Sequence, residues 1–159
     1  MLLAIVLPLA LGAVVFLSFL VRAAIRRHIA PSVEGIAIGA ITNVASAILL
    51  EPAIARRCVL VWLGGQPHGA PNAREFNLQQ DQHAARVVFD CGIPLVQIPC
   101  AGVAENLRTC VPELDAYLRD CGVIGNYLCD IVRDYNRDGL AAWTKVIWDI
   151  SAVAWLVNP

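Results

Sequence analysis

Residues 35–65 read GIAIGAITNVASAILLEPAIARRCVLVWLGG. Gly35 to Ala40 is an apolar run with β-branched residues and flanking glycines, which predicts a buried strand rather than a helix. Thr42 or Asn43 then offers a side-chain oxygen to cap a helix through Leu50. Glu51-Pro52 restarts the chain, and Pro52 suits the first turn of a second short helix to Arg57. Cys58 to Leu63 is the next uninterrupted apolar run, closed by Gly64-Gly65. Strand, helix and strand in this order are a βαβ unit. The pattern predicts an α/β fold, an open and mainly parallel sheet with helices on both faces.

The same alternation continues toward the C-terminus. Residues 65–77 are a polar loop, and Asp81 caps a helix to Cys91. Ala84, Val87, Val88 and Cys91 fall at i, i+3, i+4 and i+7 and form its core face. Gly92 closes that helix, and Pro94 to Cys100 is the third strand. Further helices are predicted over 103–110, from Pro112 to Leu118, over 122–137 up to the break at Gly139, and over 150–157 with Asp149 as cap.

Toward the N-terminus the composition changes. Of the first 21 residues, 18 are apolar, and Met1 to Val21 carries no charge. Two readings of residues 1–21 stand open: a membrane anchor, with the basic cluster Arg22 to Arg27 placing the rest in the cytoplasm, or a buried element of a domain that starts upstream. Residues 22–159 form the remaining unit, a partial domain. Six cysteines without C-x-x-C spacing read as small buried hydrophobes of a reducing, cytoplasmic setting. A net charge of −1 argues against a nucleic-acid partner. With 16% charged residues the chain is not a disordered one.

In open parallel sheets ligands bind beyond the carboxyl ends of the strands. The polar segments placed there are Thr42-Asn43, the 65–77 loop, Pro99–Gly102 and Lys145–Asp149. Thr42-Asn43 reads either as a helix cap or as a strand-end carbonyl facing a ligand or metal. Glu75-Phe76-Asn77 is either a polar loop end or a grip for a vicinal diol, since a carboxylate accepts from hydroxyls while an amide donates and accepts. Phe76 is expected to pack inward and fix their aim. Asp149 is either a helix cap or an oxygen ligand for a hard cation.

Taken in order, ITNVASAILLEPAIARR (41–57), VWLGG (61–65), AREFNLQQDQHAARVVFDCGIPLVQIPC (73–100) and KVIWDISAVAWLVNP (145–159) resemble the inosine/uridine-preferring nucleoside hydrolase family. The resemblance runs from about Phe19 to Pro159. It implies hydrolysis of the base–ribose bond of purine or pyrimidine ribonucleosides by a Ca²⁺-bound water, with an oxocarbenium-like transition state. It also implies Thr42 as a main-chain metal ligand, and Asp149 as metal ligand and catalytic carboxylate. Glu75 and Asn77 become ribose-hydroxyl ligands, with Asn72 as a further ribose-binding residue. Family members are commonly homo-oligomers.

Two departures accompany the resemblance. The family's Asp-rich motif after its first strand has no counterpart, because the first acidic residue is Glu34. Many members place a His before the residue matching Asp149, where it protonates the leaving base. Here Trp148 occupies that place, suited to stacking on a base but not to proton transfer. His68 is the alternative proton donor, whereas His83 is expected on an exposed helix face. The expectations are therefore a nucleoside hydrolase, a non-catalytic nucleoside or sugar binder, or an inactive fragment. A bare sheet edge and an uncovered face further predict aggregation or membrane association.

Overall fold

The computed structural model describes residues 33–136, 138–140 and 142–157. The apolar segment 1–21 lies outside the described residues. Among the described residues no helix is long and apolar enough to cross a membrane.

Three strands, β1 (Val33–Ala37), β2 (Cys58–Leu63) and β3 (Leu95–Ile98), form one sheet in the order β1-β2-β3. Both pairings are parallel. Val33 lies opposite Cys58 and Ala37 opposite Trp62, while Leu60 lies opposite Leu95 and Leu63 opposite Ile98. The α/β class and the parallel sheet expected from the βαβ spacing are both present. β2 is central, and its six-residue apolar run follows from being covered on both faces.

Leu60 and Trp62 point to one side. There they pack with Ile41, Ala45 and Ile48 of helix α1 (Thr42–Leu50) and with Ala84, Ala85 and Val88 of helix α3 (Gln82–Asp90). Val61 and Leu63 point to the other side, against Ile98, Ala104 and Ala152 of the last helix, α6 (Ile150–Val157). The two-residue alternation along β2 thus divides one run of sequence between two cores.

Local signals set most element ends. Asp81 caps α3 by accepting from the Ala84 N–H at 2.9 Å. Glu75 caps the five-residue helix α2 (Phe76–Gln80). A 3₁₀ turn over Pro52–Arg56 stands where a second short helix is expected, with Glu51 accepting from Ala53 N–H.

Four local expectations are corrected. α1 starts at Thr42 but is preceded by Ile41 and has no side-chain cap. The Thr42 hydroxyl instead donates to Asp81 at 2.7 Å, tying α1 to α3. Residues 103–110 form a 3₁₀ turn, Ala104–Asn106, then strand β4 (Arg108–Thr109), which pairs antiparallel with β5 (Lys145–Val146). Phe76 is 77% exposed rather than packed inward. Of the cysteines only Cys129 is fully buried, and Cys121 is exposed.

Helices α4 (Val111–Tyr117) and α5 (Gly122–Tyr135) form a hairpin. Gly125 lets α5 approach closely, since a Cβ there would lie 2.4 Å from the Leu118 carbonyl oxygen. Arg119 bridges Asp115 and Asp130, and Arg133 also reaches Asp115, so four charges join the pair.

Candidate active site

A cavity of about 550 Å³ opens at the carboxyl ends of the strands. Ile38 follows β1, Leu63 ends β2, and Cys100 follows β3. These three form its sheet-side wall together with Gln66, Glu75, Phe76, Asn77, Trp148 and Asp149. The location obeys the strand-end rule for open α/β sheets.

Glu75 is buried and accepts four hydrogen bonds. Oε1 receives the Asn77 N–H at 2.9 Å and the Cys100 thiol at 3.3 Å. Oε2 receives the Gly65 N–H at 2.7 Å and the Leu78 N–H at 3.0 Å. A carboxylate has about four acceptor sites, so this one is saturated. Burial pushes its pKa up, but the hydrogen bonds outweigh burial and hold it below the ordinary 4.5. The Cys100 thiol is pushed up to about 12, first by burial and then by Glu75, so it stays protonated and donates.

Asn77 is 7% exposed. Its Nδ2 donates to Leu63 O at 2.8 Å and to Ile38 O at 3.3 Å, tying the ends of β1 and β2 together. Two carbonyls facing Nδ2 fix which amide atom is which. Oδ1 is left with no donor among the described residues, a buried acceptor on the cavity wall. Asp149 is exposed at the cavity rim, and its carboxylate has no hydrogen-bond or ion-pair partner among the described residues. Trp148, 39% exposed, and Phe76 give the cavity two aromatic surfaces.

The structure therefore brings together Glu75, Asn77, Trp148 and Asp149. It places Thr42 and Asn72 elsewhere. Thr42 sits at the start of α1, its hydroxyl facing Asp81, and it is not among the residues that line the cavity. Asn72 is exposed and accepts from the Arg74 N–H at 2.9 Å. With His68 it lines a separate cavity of about 280 Å³ under the 65–77 loop. His68 is thus not positioned as the proton donor of the larger cavity, and His83 is exposed on α3 as expected. Ile38, Leu63, Gln66 and Cys100 carried no assigned role in the sequence. Gln66 and Cys100 fall within segments that the strand-end rule marks.

A calcium ion takes six to eight oxygens. The cavity offers one unengaged carboxylate, Asp149, and one unengaged amide oxygen, that of Asn77; Glu75 is spent on its four donors. Among the described residues no three His, Cys, Asp or Glu side chains group to hold a metal. No Asp or Glu precedes Glu34 in the sequence. Among the described residues, the donor set of the cavity does not complete a calcium shell.

Residues 10–159 match the family described as inosine-uridine preferring nucleoside hydrolase. The chain belongs to this family. Among curated relatives, the pyrimidine-specific ribonucleoside hydrolase RihB of Escherichia coli O1:K1 is 31% identical over 131 residues, covering 77% of this chain and 41% of the relative. The RihB sequence of Shigella boydii is 32% identical over 131 residues, covering 77% of this chain and 52% of its own length. Among solved structures, the inosine-uridine preferring nucleoside hydrolase of Bacillus anthracis superimposes with a TM-score of 0.53 at 19% identity. That superposition covers 79% of this chain and 43% of the other, and shows a shared fold. The chain spans about half the length, or less, of the nucleoside hydrolases it matches.

Proposed function

We propose that the 550 Å³ cavity binds a ribonucleoside, and that the chemistry it serves is hydrolysis of the base–ribose bond. The observation that carries this reading is the convergence of Asn77, Trp148 and Asp149 on one hollow at the strand ends. Asn77 Oδ1 accepts a ribose hydroxyl without disturbing the protein, since Nδ2 is already engaged. Asp149, unpaired and negative, accepts a second hydroxyl or the proton of a water, and its charge favours a ribosyl oxocarbenium ion. Trp148 and Phe76 supply faces for a base to stack on. Neither titrates usefully, so the leaving base departs without a protein acid from this wall.

Asp149→Ala tests the reading cleanly, because that side chain holds no partner whose loss would unfold the chain. Inosine, uridine and ribose are titrated calorimetrically, and free ribose is assayed. The variant is expected to lose about tenfold or more in nucleoside affinity, the loss of one charge-assisted hydrogen bond. Ribose release from the unaltered chain above the variant's level supports hydrolysis. The absence of binding to all three probes rejects the site. The name of the RihB relatives makes uridine the first probe.

A second reading, binding without turnover, is favoured by the saturated state of Glu75 and the incomplete donor set for a metal. It predicts that millimolar calcium leaves the melting temperature of the chain unchanged, because a ligand stabilises only where it binds. A calcium-dependent rise of several degrees would instead show that water and the available oxygens complete the shell.

A further inference from the structure

We infer that Cys100 is a positioning residue that controls access to Glu75, its thiol occupying the one acceptor position on that carboxylate that a sugar hydroxyl could take over. The inference rests on the nucleoside reading of the cavity and names a determinant of that site. Three of the four donors to Glu75 are main-chain N–H groups of Gly65, Asn77 and Leu78. They belong to the β2 turn and the start of α2 and do not leave without unfolding α2. The fourth is the Cys100 thiol at 3.3 Å, a side chain on the cavity wall. A thiol is the weakest donor among the common side chains that carry one, whereas a sugar hydroxyl gives a shorter and stronger bond to a carboxylate. The exchange therefore runs toward the ligand.

Asn77 makes the site more than a lone cysteine. Its Oδ1 is a buried acceptor without a donor, and it is two residues from Glu75 on the same wall. A ligand with adjacent hydroxyls satisfies Oδ1 with one and displaces the thiol from Glu75 Oε1 with the other. A ligand lacking one of the two hydroxyls leaves the thiol in place. Cys100 thus adds a threshold that discriminates diols from single hydroxyls.

Two measurements on the full chain test this. In the first, D-ribose, 2-deoxyribose and uridine are titrated into the unaltered chain, Cys100→Ala and Cys100→Ser. The alanine variant, with no donor to displace, is expected to bind ribose and uridine about threefold to tenfold more tightly than the unaltered chain. The serine variant keeps a donor and is expected to bind less tightly than the alanine variant. Equal affinities for alanine and serine, or weaker binding by both than by the unaltered chain, overturn the inference while leaving the nucleoside site intact. No binding by any form rejects the nucleoside site and the inference with it.

The second measurement reads the contact without a ligand. Iodoacetamide labelling of Cys100 is followed by peptide mass spectrometry from pH 7 to pH 10 in the unaltered chain and in Glu75→Gln. The charges that act on Cys100 are Glu75, Asp149 and Glu105, and of these carboxylates only Glu75 accepts a hydrogen bond from its thiol. Loss of the Glu75 charge is expected to bring labelling on at lower pH for Cys100 while buried Cys129 stays unlabelled. An unchanged Cys100 profile overturns the inference. Labelling of Cys129 as well would mark unfolding, and the affinities of Cys100→Ala and Cys100→Ser then decide, with the outcomes given above.

Discussion

Glu75→Ala is expected to destabilise the chain by about 3 kcal/mol at pH 7, and Glu75→Gln by roughly half as much. The alanine variant leaves three main-chain N–H groups at the β2 turn and the start of α2 without an acceptor, each worth about 1–3 kcal/mol when buried and less where water reaches it. Glutamine keeps one oxygen, enough for the Gly65 and Leu78 N–H groups, but turns an NH₂ toward the Asn77 N–H and so loses that bond. The pH dependence has a definite sign. Hydrogen bonds to the charged form, outweighing burial, depress the folded pKa below the ordinary 4.5. Stability from Glu75 is therefore fully present above pH 4.5 and is lost as pH falls through the folded pKa. Urea melts at pH 7 and at pH 3 should show the gap between the unaltered chain and Glu75→Gln narrowing at the lower pH. A gap that stays constant would mean that the carboxylate is not held in its charged form.

That one carboxylate both caps α2 and lines the cavity explains why the triplet Glu75-Phe76-Asn77 was only partly legible. Glu75 and Asn77 both lie on the cavity wall. Phe76 fails because extended-chain alternation does not continue past Glu75. The helix begins at Phe76, so successive side chains turn by about 100° instead of 180°, and burying Glu75 and Asn77 leaves Phe76 outside. Thr42 lies off the cavity wall for a related reason. The apolar run Ile36 to Ile41 gives no sign of where its strand stops. β1 ends at Ala37, Ile38 just beyond it lines the cavity, and Thr42 already lies on α1. The central strand was legible over its whole length, since burial on both faces demands an unbroken apolar run bounded by turn residues. β4 and β5 were not, being two residues each and paired only through distant chain segments. The convergence of Trp148 and Asp149 with Glu75 and Asn77 was accessible only through the strand-end rule and the family resemblance. Nothing local in either segment points to the other.

The largest single loss of stability is expected at Trp62, where alanine should cost about 3–5 kcal/mol, as for other buried aromatic truncations. Trp62 is fully buried, sits in tilted contact with Phe89 at 5.9 Å, and donates from Nε1 to Gly39 O at 3.0 Å. That last bond fixes the turn that presents Ile38 to the cavity, so the residue connects the core to the site. Gly64 is its counterpart: a Cβ there would lie 2.4 Å from the indole ring, in a place with no room to give. Gly64→Ala is accordingly expected to destabilise by about 1–3 kcal/mol or more, from overpacking. The two residues should be strongly coupled. In a Trp62→Leu background the space occupied by the indole is vacated, so adding the methyl at Gly64 should cost much less than in the unaltered chain. A double-mutant cycle from urea denaturation is expected to give a coupling of about 1–2 kcal/mol, well beyond the few tenths found for independent sites. Strict additivity would contradict the contact. With Gly39 released, the Trp62→Leu chain should also bind uridine more weakly than it would from its loss of stability alone, because the wall formed by Ile38 would no longer be fixed by a hydrogen bond from the core.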